Sequence, residues 1–255
     1  MSYEQDPAFL KNQISIELYN HQDDYHPGTL AQDGVTNKVF VGVVAGIAAG
    51  KSTFTNEVHR QYPQIGLIDS RTTRGPKPDD PEGYKTAADG ITHSVALDAV
   101  NSGEVVNYSA IRGGNVYFTL PEDFPGKYST SPFLPSSIDH VRRAGFERDH
   151  FVYIVAAGEL WKRFVTKMLA EAPQEMPIEH LETRIVELLD STQFALDNPE
   201  LFTFIENSED PRVFQYGVDT IAKLALEGTA VSLDFDSAKS RIEEMRTAAK
   251  EILGE

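Results

Sequence analysis

The chain has 255 residues, no cysteine, 40% hydrophobic content and a formal net charge of −16. That length buries one full core with an appendage, and the composition is that of a globular chain rather than a disordered one. The missing cysteines exclude disulfides, a thiol nucleophile and Cys-ligated zinc, and the acidic balance disfavours nucleic acid or an anionic membrane as partner, since either needs a basic face.

Residues 1–36 read as a polar N-terminal extension of mixed periodicity around Phe9, Leu10, Ile14, Ile16 and Leu18, followed by a turn-rich run, and are expected to pack weakly on the core. The start lacks the basic and apolar regions of a signal peptide, and no apolar run approaches the ~20 residues of a membrane span, so the expected location is cytoplasmic. A main domain is expected over 37–228. It opens on the apolar strand Val39–Val44, which runs into Ala45-Gly46-Ile47-Ala48-Ala49-Gly50-Lys51-Ser52-Thr53. A buried strand that stops at a small-residue turn followed by Lys and two hydroxyls suits a nucleoside triphosphate. Backbone N–H groups from Gly46, Ala48, Ala49 and Gly50 through Thr53 cradle the phosphates, Lys51 reaches the outer ones, and Ser52 holds Mg²⁺. Ala45 takes the first glycine position of the motif, so Gly46 and Gly50 carry the unusual backbone angles.

A helix is predicted over 53–62 and a strand over 64–69. Residues 72–89, rich in Pro, Gly and charge, suggest an exposed functional loop. A short helix over 95–100 and strands over 104–110 and 115–120 complete an insert at about 72–125. A buried strand follows at 151–155, then helices at 159–170 and 177–189 separated by a loop at 171–175, and a last strand at 202–206. Strands alternating with helices predict a doubly wound parallel α/β sheet. The C-terminal segment 229–255 carries a helix over 236–253 whose stripe of Ala238, Ile242, Met245, Ala249 and Ile252 docks on its own core, with Gly254 as the stop.

Arg74 and Lys77 lie three residues apart at the carboxyl end of a predicted sheet strand, where open α/β sheets bind ligands. With the Ser70 hydroxyl and the Tyr84 phenol they form a candidate grip for a second phosphate; a solvated basic loop is the competing reading. Arg163 and Lys167, four apart on a helix, are neighbours that repel unless an anion lies between them. That pattern suits charge stabilisation of a phosphoryl group in flight, against a solvated helix face.

On these residues the chain resembles the guanylate kinases from about residue 38 to 226. The family's Ser-x-Thr-Thr-Arg-x-x-Arg element is matched by Ser70, Thr72, Thr73, Arg74 and, conservatively, Lys77, a point charge without the bidentate fork of Arg. Gly83 and Tyr84 match a further element, as do Gly114, Asn115, Tyr117 and Thr119. The resemblance implies the fold of a P-loop nucleoside monophosphate kinase, with a small β-containing acceptor insert and a helical lid at about 160–190. It implies that Tyr84 and Tyr117 hydrogen-bond the acceptor phosphate, that Arg184 is a further lid arginine, and that Asn207 contacts the adenine of ATP. Asn107 stands where the family has a Glu for guanine, and 127–137 holds no carboxylate where the family has acids for magnesium and guanine. Asn can accept or donate, so the base stays open. Asp69 is the candidate for the missing outer-shell magnesium ligand.

The expected activity is phosphorylation of a nucleoside or deoxynucleoside monophosphate by ATP with Mg²⁺, in a monomer or homodimer, with Lys51, Arg163, Lys167 and Arg184 as the charge-neutralising residues. Two rivals stand beside it: a kinase of a phosphorylated sugar, and a catalytically silent binding module.

Overall fold

The structure, a computed structural model, describes residues 7–76, 83–111, 114–171 and 178–254. The chain forms two compact units: Met1–Val39 with Gly66–Ser129 and Ser136–Asp149, and Phe40–Ile65 with Thr130–Pro135 and His150–Glu255.

In chain order the elements are α1 (Pro7–His21), α2 (Thr29–Val35), β1 (Val39–Val44), α3 (Lys51–Gln61), β2 (Ile65–Leu67), β3 (Arg71–Thr72), α4 (His93–Ser102), β4 (Asn107–Ala110) and β5 (Val116–Thr119). Then come β6 (Tyr128–Phe133), α5 (Ile138–Ala144), β7 (Arg148–Ala156), α6 (Gly158–Glu171), α7 (Ile178–Asp197), β8 (Phe202–Asn207), α8 (Pro211–Glu227) and α9 (Phe235–Leu253). A five-stranded sheet has the order β2-β6-β1-β7-β8, and a three-stranded sheet the order β3-β5-β4. The larger sheet is mostly parallel and flanked by helices, which is the α/β class expected from the alternation. β7 and β8 pair in parallel from Phe151↔Phe202 to Ala156↔Asn207. Every residue of β1 is buried, as a central strand covered on both faces requires.

In the second unit α8 packs on α3 and β8, and α9 packs on α6 and α7. The α9 stripe is docked as expected: Ala238, Ile242, Met245 and Ala249 are buried, and only Ile252 is exposed. Helix α7 runs eight residues past the predicted end at 189, and α8 was not predicted from periodicity at all. Its start is marked by Asp210, whose carboxylate accepts from the Arg212 N–H, with a proline in the first turn.

In the first unit the N-terminal helices are part of the core, which corrects the expectation of weak packing. Leu18, Tyr25, Ala31 and Val35 are buried, and α1 lies on α4 and β4. Much of this attachment is polar. Ser15 Oγ donates to the Ile111 carbonyl at 2.8 Å, Tyr25 Oη to the Val105 carbonyl at 2.7 Å, and Gln22 Oε1 accepts the Ala110 N–H at 3.1 Å. Such bonds leave no trace in a hydrophobic pattern.

The three-stranded sheet is antiparallel, with Asn107↔Thr119, Ser109↔Tyr117 and Thr72↔Tyr117 in register. Successive strand residues point to opposite faces. Tyr108, Ala110, Val116 and Phe118 therefore form one face and join Leu18, Tyr25, Ile91, Ala96 and Val105 in an apolar cluster. The opposite face carries Thr72, Asn107, Ser109, Tyr117 and Thr119.

Candidate functional site

The predicted phosphate loop joins β1 to α3 within the second unit. Gly50 is the N-cap of α3 in the left-handed region, at φ 101° and ψ 17°, and a Cβ there would lie 2.7 Å from the Asn207 amide nitrogen. At Gly46 a Cβ would lie 1.7 Å from Leu188 Cδ1, so α7 occupies the space that any larger residue needs. The expected unusual backbone angle is found at Gly50 but not at Gly46, which is outside the left-handed region and is required instead by its close approach to Leu188. Ala48 also has positive φ, at 57°.

Three of the loop's carbonyls accept side-chain donors. Lys51 Nζ donates to the Ala45 carbonyl at 2.5 Å, Trp161 Nε1 to that of Ile47 at 2.8 Å, and Asn207 Nδ2 to that of Ala49 at 3.0 Å. Trp161 is fully buried and Asn207 buried. The Asn207 amide, read from the resemblance as an adenine contact, gives one N–H to the loop. Ser52 and Thr53 are exposed in the first turn of α3, where unpaired N–H groups and the helix dipole favour an anion.

Burial pushes the Lys51 ammonium down to about 8, the nearby Arg184 cation pushes it further the same way, and the Glu187 carboxylate opposes both. Arg184 donates to Glu187 at 2.7 Å. The structure thus brings together two predicted cations, Lys51 and Arg184, with an acid that sequence reading missed. Its signal was available, since Glu187 follows Arg184 by three positions on a helix. Arg163 is exposed and ion-paired to Glu209 at 2.9 Å, and Lys167 is exposed one turn further along α6.

The other predicted residues belong to the first unit. The Arg74 guanidinium lies 5.3 Å from the Tyr84 ring centroid, a cation–π arrangement that places two of the predicted phosphate-binding groups side by side. Arg74 also donates to the Gly75 carbonyl at 2.7 Å. Ser70 is half-buried, and its carbonyl accepts the Lys85 N–H at 3.1 Å. Lys77 lies outside the described residues, as do 172–175 of the predicted loop between the lid helices. Thr73 serves the scaffold: its hydroxyl oxygen accepts the Val116 N–H at 2.9 Å and lies 3.2 Å from His93 Nε2.

On the polar sheet face Asn107 Nδ2 donates to Thr119 Oγ1 at 2.8 Å, both side chains being buried. The hydroxyls of Ser109 and Ser136 are 2.9 Å apart, and Tyr117, half-buried, stands opposite Ser109 on one side and Thr72 on the other in the register. Asp69 has Asp123 and Lys85 as charged neighbours. Burial first, then the Asp123 carboxylate, raise its proton affinity above the ordinary carboxylate, against the pull of Lys85. Asp123 is itself buried and held bidentately by Arg71, through Nε at 2.7 Å and Nη2 at 2.8 Å, while it accepts the Leu120 N–H at 2.8 Å. This Arg71–Asp123 pair was missed by sequence reading, because its members are 52 positions apart. Among the described residues no group of three or more His, Asp or Glu side chains is placed to hold a metal ion, and no helix is long and apolar enough to cross a membrane.

No family model and no curated protein matches this sequence. Among solved structures, the guanylate kinase of Anaplasma phagocytophilum is similar, at 14% sequence identity and a TM-score of 0.49, over 75% of this chain and 88% of that one.

Proposed function

We propose that the chain is a P-loop kinase that transfers the γ-phosphoryl group of ATP onto the phosphate of a nucleoside or deoxynucleoside monophosphate. The observation that carries this reading is the loop of the second unit: a left-handed Gly50 opening α3, with the ammonium of Lys51 in burial beside Arg184. A turn that binds nothing gains nothing from bringing an exposed Arg184 near a buried ammonium, since burial disfavours Lys51, like charge disfavours both, and Glu187 is one counter-charge for the two. A polyanion reverses that balance.

In this proposal Lys51 releases the Ala45 carbonyl to reach the outer phosphates, and Arg184 shares their charge. Arg163 and Lys167 neutralise the group in transfer, so the protein's work is positioning and charge stabilisation. Mg²⁺, when bound, supplies further neutralisation of the phosphates. Ser52 would hold it, with Asp69 the outer-shell candidate; few protein ligands suit an ion that keeps water and phosphate in its shell. Ser70, Arg74, Lys77, Tyr84 and Tyr117 would hold the acceptor phosphate, with Asn107 and Thr119 towards the base. Because Asn107 donates to Thr119, its carbonyl oxygen is left to accept a ring N–H, a requirement that guanine, uracil and thymine all meet.

The test is ADP formation by the full chain with Mg·ATP across ribo- and deoxyribonucleoside monophosphates and sugar phosphates. Turnover with at least one nucleoside monophosphate is expected. Turnover with none of them overturns the proposal: activity confined to a sugar phosphate would reassign the acceptor, and no thermal stabilisation by ATP would favour a silent binding module.

A further inference from the structure

The three side-chain bonds to the loop fall on alternate carbonyls, those of Ala45, Ile47 and Ala49. In a trans peptide the carbonyl and the following N–H point in opposite directions. Drawing the Ile47 carbonyl towards Trp161 turns the Ala48 N–H away from Trp161, and drawing the Ala49 carbonyl towards Asn207 does the same for the Gly50 N–H. Ala48 sits between the two fastened carbonyls and has φ 57°, a conformation that residues with a Cβ avoid unless their surroundings impose it. The two donors come from separate elements, α6 and the end of β8, so the loop is fastened at two independent points.

We propose that Trp161 and Asn207 are positioning residues for triphosphate binding: their buried N–H donors hold the loop in its strained form and aim the N–H groups of Ala48 and Gly50 at the phosphates. This rests on the reading of the loop as the ATP phosphate site. It assigns Asn207 to the phosphates through the backbone, in place of the adenine contact expected from the resemblance.

The experiment is calorimetric binding of Mg·ATP and of inorganic tripolyphosphate to the full chain, the Asn207→Leu and Trp161→Phe variants, and each variant combined with Ala48→Gly. Asn207→Leu keeps the side chain's size without its donor, and Trp161→Phe keeps a ring in the core. Each single variant is expected to weaken both ligands about tenfold, as the loss of one buried hydrogen bond allows. Glycine adopts the left-handed conformation without steric cost, so Ala48→Gly is expected to recover at least about threefold of the loss, which a general loss of packing would not permit. Should Asn207→Leu fail to fold, Trp161→Phe carries the test alone. Unchanged tripolyphosphate affinity in the single variants overturns the assignment, and so does a lack of recovery by Ala48→Gly. Loss of ATP affinity alone in Asn207→Leu returns that residue to the adenine. If the unaltered protein binds neither ligand, the reading of the loop falls, and this assignment falls with it.

Discussion

The loop at 45–50 and the polar face of the three-stranded sheet both depend on buried polar side chains, but the side chains have different partners. At the loop, Trp161 and Asn207 bond main-chain carbonyls, and the atoms left to meet a ligand are N–H groups. On the sheet face, Asn107 bonds Thr119 and Ser109 lies against Ser136, so the atoms left are those of particular side chains. A site of main-chain atoms tolerates Ala45 in place of a glycine, provided that the backbone is held in shape. A site of side-chain atoms changes its ligand when one residue changes.

The comparison can be broken most sharply at Lys51. Lys51→Met is expected to lower the rate of ADP formation about 10³-fold, the scale of losing a charge that stabilises a transition state, while the thermal unfolding midpoint does not fall, because the buried charge itself costs stability. A large fall in that midpoint would make the lysine a folding element of the loop.

Arg71→Ala is the counterpart in the first unit. It leaves the carboxylate of Asp123, which is only 2% exposed, with the Leu120 N–H and the more distant Lys85 ammonium at 3.7 Å in place of a bidentate partner, and is expected to cost about 3 kcal/mol in urea unfolding. Tripolyphosphate affinity should be unchanged below the unfolding transition, because the loop is built from residues of the second unit. A matching fall in affinity would show that the two regions do not act separately.

Proton linkage gives a smaller effect. The Lys51 ammonium is held at about 8, below the ordinary 10.5, so its charge is lost as pH rises through about 8. ATP affinity should then fall by up to about tenfold per pH unit. Stability moves the other way, rising from about 8 towards 10.5, because the unfolded chain retains that proton over the same window. Arg184→Gln removes a cation that depresses Lys51 and should shift the fall in affinity to higher pH. A profile that does not move would remove Arg184 from the ammonium's surroundings.

The smallest expected effect is at Asn107. Asn107→Glu adds an acidic acceptor opposite Thr119 and should shift preference towards guanosine over uridine monophosphate by about tenfold. No shift in that ratio would mean that the polar face does not read the base.

The loop is legible in the sequence because its residues are contiguous and sit between a buried strand and a helix. The polar sheet face is legible only through a motif, since Thr72, Asn107, Tyr117 and Thr119 meet by strand register rather than by spacing. The N-terminal helix is not legible as core. Ser15 within it and Gln22 just past its end attach it by hydrogen bonds to backbone atoms about ninety positions away, and such bonds impose no period. The fastening of the loop is hidden for a related reason: Trp161 and Asn207 look like a core aromatic and a strand-end amide until the chain is folded.

Helix α7 carries Arg184, which acts on the Lys51 ammonium, and one turn later Leu188, whose methyl fills the space above Gly46. Charge and shape at the loop are therefore inherited together through one helix. A lineage that acquires a side chain at position 46 has to shrink position 188 in compensation, and in doing so loosens the seat of its own arginine. Gly46 and Leu188 should consequently drift as a pair, with Leu188→Ala tolerating Gly46→Ala better than the unaltered background does.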